Sequence, residues 1–60
     1  MNKISVQQAI RELNGVIKQI DSEILSILAA KSVQEVFRMA YLKNLRAMVM
    51  DAITNLKREL

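Results

Sequence analysis

Between Val6 and Ile27 an aliphatic residue returns at alternate steps of four and three: Val6, Ile10, Leu13, Ile17, Ile20, Ile24 and Ile27. This is the seam of a heptad-patterned α-helix, in which each apolar residue lands almost above the last and the stripe must lie against another helix. Five of the seven are Ile, so we read the stripe as the seam of an oligomer.

The segment S-V-Q-Q, Ser5 to Gln8, has the form of a capping box: the Ser5 hydroxyl accepts from the backbone near Gln8 and the Gln8 side chain reaches back. It predicts a helix starting at about Val6. Asn14-Gly15 is the one pair inside the stripe that favours a turn. The seam passes through it in register, so the helix is expected to continue at a cost of about 1 kcal/mol relative to Ala at position 15. The competing explanation for Gly15 is a close approach of another backbone.

Extending the seam beyond Ile27 gives Lys31, Gln34 and Arg38, three polar residues in a row. An apolar seam does not survive that. The same stretch holds S-V-Q-E, Ser32 to Glu35, a second capping box whose carboxylate also suits the positive end of a helix. Lys31 stands where a cation favours the last carbonyls of the helix before it. The chain is therefore expected to form one domain over residues 1–60, an antiparallel helical hairpin. The first helix runs over about 6–30, the turn over about 30–32 and the second helix over about 33–60.

The second helix carries two apolar rows at steps of four. One is Val33, Phe37, Tyr41, Leu45, Val49 and Ile53; the other is Val36, Ala40, Asn44, Met48, Ala52, Leu56 and Leu60. Rows with a period above 3.6 drift around a helix, so the apolar face turns along its length. A single neighbour does not cover such a face. The fold class expected is all-α, with hairpins self-associating into a four-helix or larger bundle.

Composition agrees. The chain is 52% hydrophobic but has one Phe, one Tyr and no Trp, and it has one Gly and no Pro. Its apolar content is thus aliphatic and Met side chains suited to helix packing, with almost no helix breakers. In sixty residues a single core rarely supplies more than about 3–5 kcal/mol, which again favours a homo-oligomer. No apolar run reaches the roughly 18 residues of a membrane span, and Met1 to Ser5 is not followed by the apolar region of a signal peptide. A cytoplasmic protein is expected.

Chemistry has little to work with. Without Cys there is no thiolate nucleophile and no ordinary structural zinc site; without His the commonest general base near neutral pH is missing. Glu12, Asp21, Glu23, Glu35, Asp51 and Glu59 are scattered and suit a solvated helix face. The only Gly, Gly15, makes no phosphate loop. No enzyme, no cofactor and no metal site is expected.

One stretch is familiar. I-D-S-E-I-L-S-I-L-A-A-K, Ile20 to Lys31, resembles the first-helix signature of helical chorismate mutases, which would imply an anion-binding active site with Arg11 contributing from upstream. Lys31 stands where that family has Arg, Arg11 lies ten residues before Asp21, and twelve of sixty residues carry the likeness. An amphipathic helix alone accounts for it.

The surface left over is more informative. Met39, Lys43, Arg46 and Met50 follow one another along one side of the second helix, Lys57 continues the line, and Leu42 sits against Met39 and Arg46. Cationic stems beside adaptable Met side chains suit an acidic, partly apolar protein surface. Met39, Leu42, Lys43, Arg46 and Met50 are therefore the expected partner-binding residues. The function expected is that of a small self-associating interaction protein, a regulator or inhibitor that occupies a surface of another protein. Two alternatives stay open. The net charge of +3 permits nucleic-acid binding by a dimer of hairpins; a small anionic ligand held between protomers would draw on Tyr41, Lys43 and Arg46.

Overall fold

In the computed structural model, which describes residues 2–30 and 35–60, the chain is two helices packed antiparallel. α1 spans Lys3–Ala30 and α2 spans Val36–Lys57. One uninterrupted helix is thereby excluded. The turn expected at 30–32 and the capping box at Ser32 lie, beyond Ala30, outside the described residues.

α1 starts three residues earlier than the Ser5 capping box predicts. Asn2 takes the cap instead: its Oδ1 accepts from the Ile4 N–H at 2.9 Å, and its backbone carbonyl accepts from the Val6 N–H at 3.0 Å. Asn caps a helix as well as Ser does, so the upstream cap adds most of a turn without losing a bond. At the other end of the chain α2 stops at Lys57, short of the expected residue 60. There the Glu59 and Leu60 N–H groups bond the carbonyls three residues back, at 3.0 and 3.1 Å, which is the tighter closure common at helix ends.

The α1 seam is intact, but its partner is the chain itself. Val6, Ile17, Ile20 and Ile27 are buried, and Ile10, Leu13 and Ile24 are half-buried. The stripe assigned to an oligomer is the face on which α2 rests. The nearest helix in solution is always the one on the same chain, so it takes the most regular apolar stripe first.

α2 presents a different face from the one its step-of-four rows predict. Its inward residues are Met39, Leu42, Arg46, Val49, Ile53 and Leu56, at steps of three and four, with Leu45 and Ala52 at the margin. Ile20, Ile27 and Leu42 form the buried centre, and Ile24, Met39, Leu45 and Val49 pack against it. Val36, Phe37, Tyr41, Met48 and Leu60, all expected inside, are exposed; Val33 lies outside the described residues. The heptad in α2 was hidden by Arg46, which occupies a seam position.

The pair forms a slab of 45 × 14 × 9 Å. Gly15 is helical and exposed, and a Cβ built on it meets nothing within 4 Å. Within this chain, then, no backbone approaches Gly15 closely. Gly15→Ala should stabilise the hairpin by about 1 kcal/mol, since Ala loses less backbone entropy in a helix. In thermal melts at matched concentration we expect Tm to rise by about 4–8 °C; an unchanged or lower Tm would mean that position 15 touches something beyond this chain. Among the described residues, no helix is long and apolar enough to cross a membrane.

Candidate interaction surface

Two cross-helix ion pairs bridge the helices on opposite broad sides of the slab, the Asp21–Arg46 edge and the Glu23–Arg38 edge. On one edge Arg46 Nε donates to Asp21 Oδ1 at 2.7 Å; on the other Arg38 Nη2 lies 3.6 Å from Glu23 Oε2. Asp21 and Glu23 are about 200° apart around α1, and Arg38 and Arg46 flank Leu42 four residues to either side. The hydrophobic seam runs between the pairs. The Asp21 hydrogen bond and charge hold the Arg46 guanidinium above its ordinary pKa. With the two side chains 42% and 46% exposed, the pair's worth is in fixing register more than in stability.

Helix periodicity assigns the remaining side chains to these edges. On the Asp21–Arg46 edge, α1 adds Lys18, Leu25 and Leu28, which are three before, four after and seven after Asp21. From α2 come Met39, Lys43, Met50 and Lys57, at seven before, three before, four after and eleven after Arg46. Leu25 is 67% exposed, Leu28 54% and Met50 40%. Four cations stand here against one carboxylate.

On the Glu23–Arg38 edge, α1 contributes Ala9 and Val16, fourteen and seven before Glu23, with Glu12 beside them. α2 contributes Tyr41, Leu45, Met48 and Ala52, and Phe37 one turn before Tyr41. Phe37 is 85% exposed, the largest value among the exposed large apolar side chains of the described residues, and Met48 is 68% exposed. This edge is mixed: beside these apolar side chains, Ser22, Ser26 and Glu35 line a groove together with Glu23 and Arg38, so Arg38 stands against Glu12, Glu23 and Glu35.

The five residues expected to bind a partner are thus divided by the fold. Leu42 is buried at 5% and belongs to the hairpin's centre; Met39 packs against it and Arg46 is tied to Asp21. Lys43 and Met50 face solvent on the same edge. Sequence reasoning missed Leu25 and Leu28 on this edge. Their signal was their position off the α1 seam at helical spacing from Asp21. Tyr41 projects from the opposite side of α2 to Lys43, so within one hairpin Tyr41, Lys43 and Arg46 do not converge on an anion. Among the described residues, no group of three or more His, Cys, Asp or Glu is placed to hold a metal ion.

No protein-family model matches this chain, and comparison with curated proteins and with solved structures finds no significant match.

Proposed function

We propose that this protein is a self-associating helical interaction module, a regulator or inhibitor that works by occupying the surface of another protein with its Asp21–Arg46 edge. One observation carries the reading: Leu25, Leu28 and Met50 are exposed there among Lys18, Lys43, Arg46 and Lys57. Apolar contact supplies the binding energy, and the surrounding cations select a surface rich in Asp and Glu and raise the rate of encounter. The aliphatic and Met content favours a protein over a nucleic acid, for which stacking aromatics are wanting on this edge. Self-association enters because a two-helix slab leaves large apolar side chains exposed on both edges, more than an isolated small domain normally shows to water.

A photo-reactive amino acid at Met50, compared with one at Asp51 on the outer side of α2, tests the assignment in the native host. We expect a discrete protein adduct at position 50 that survives nuclease treatment, and none at 51. Lys18→Glu with Lys43→Glu should abolish it while helicity is kept, because Glu propagates a helix nearly as well as Lys. A nuclease-sensitive adduct would replace this reading with nucleic-acid binding. Adducts of equal yield at 50 and 51 would remove the edge from consideration.

A further inference from the structure

We infer that a second copy of this chain docks on the Glu23–Arg38 edge, face to face, and so leaves the basic edge outward. The inference rests on the reading of the protein as self-associating and names the surface that does it. Area is the first argument. The hairpin exposes 4816 Å², whereas a compact chain of its 6.8 kDa exposes about 3,950 Å². A compact dimer of twice the mass exposes about 6,560 Å², so two hairpins reach it by burying about 1,540 Å² each, an area in the range of obligate homodimers.

Charge decides which edge. Pairing two Asp21–Arg46 edges would set Lys18, Lys43, Arg46 and Lys57 of one copy against the same cations of the other, with one carboxylate per copy to offset them. The Glu23–Arg38 edge carries both signs. In a two-fold arrangement the same patch meets itself, and Arg38 of each copy has Glu12, Glu23 and Glu35 of the other to pair with.

Shape points the same way. Ala9 and Ala52 are small and let helices approach closely, while Val16, Tyr41, Leu45 and Met48 supply the bulk that fills the space between two slabs. Phe37, exposed at the same margin, gains cover that the hairpin alone does not provide. The product is a four-helix bundle whose core is made of the two inner edges, with the mixed cationic edges on the outside.

Sedimentation of three proteins across a concentration series tests this: wild type, Tyr41→Glu with Met48→Glu, and Leu25→Glu with Met50→Glu. All four substituted side chains are exposed in the hairpin, so neither variant disturbs its seam. We expect a dimer for wild type and for the Leu25/Met50 variant. Dimerisation of the Tyr41/Met48 variant should be about a hundredfold weaker or more, since four carboxylates would be buried. Thiol labelling gives a second readout, because the chain has no cysteine of its own. Met48→Cys should react more slowly as concentration rises into the dimer range, and Met50→Cys should not. A wild-type dimer with the reverse pattern, protected at position 50 and broken by the Leu25/Met50 variant, would overturn the choice of edge and leave self-association standing. A folded wild-type monomer with a concentration-independent melt would overturn both.

Discussion

Ile20→Asp should leave the chain without stable helical structure at any accessible concentration. Ile20 is 5% exposed and lies in the centre of the molecule with Ile27 and Leu42. A carboxylate there either stays charged without a partner or must take up a proton to fold, and each route costs several kcal/mol. The whole core of so short a chain supplies only about 3–5 kcal/mol. Far-ultraviolet circular dichroism is the check: near-native helicity in the variant would mean that Ile20 is not at the centre of the fold.

The second large effect separates fold from function in the strip on α2. Leu42→Ala removes a buried side chain packed among Ile20, Ile27 and their half-buried neighbours, and the loss should be about 2–5 kcal/mol. Most of the stability of an isolated hairpin would go with it. We therefore expect the melting transition to fall steeply and any partner binding to fall in proportion to the folded fraction. Were Leu42 a contact residue on a free surface, binding would drop while the melt stayed near wild type. Denaturant titration beside a binding measurement distinguishes the two outcomes.

Leu42 also shows how the sequence misleads. α1 was readable because seven seam positions in succession are aliphatic and the polar residues fall elsewhere; the heptad could be followed by eye. In α2 apolar residues occur on nearly every side. Choosing rows by hydrophobicity favours Phe37 and Tyr41, and that choice turns the helix by about a third of a revolution from its true orientation. The correct row, Met39, Leu42, Arg46, Val49, Ile53 and Leu56, contains a cation. A lone sequence gives no reason to admit Arg46 to a seam, because the reason is Asp21 on the other helix, twenty-five residues away. The hairpin itself was legible for the opposite reason. Lys31, Gln34 and Arg38 break an otherwise unbroken stripe, and a local break needs no knowledge of a distant partner.

The candidate site divides along the same line. Lys43 and Met50 could be placed on one side of α2 from the sequence, because spacing on one helix suffices for that. Leu25 and Leu28 were missed, since their relation to Lys43 exists only once the two helices are set side by side and the Asp21–Arg46 pair fixes which edge each occupies. Interaction surfaces assembled from two elements are in general less visible in sequence than stripes on one.

The antiparallel order of α1 and α2 has a consequence for anything joined to this chain. Lys3 and Lys57 lie toward one end of a body 45 Å long, and Phe37 lies toward the other. A fluorophore or fused domain attached at either terminus therefore stands well clear of Phe37 and the end it occupies. In an assembly of two copies the same arrangement reports polarity. Copies pointing the same way gather all four termini at one pole, while copies pointing opposite ways send two termini to each pole, a body length apart. Energy transfer between terminal labels on separate copies would distinguish head-to-head from head-to-tail stacking without altering a residue in either edge.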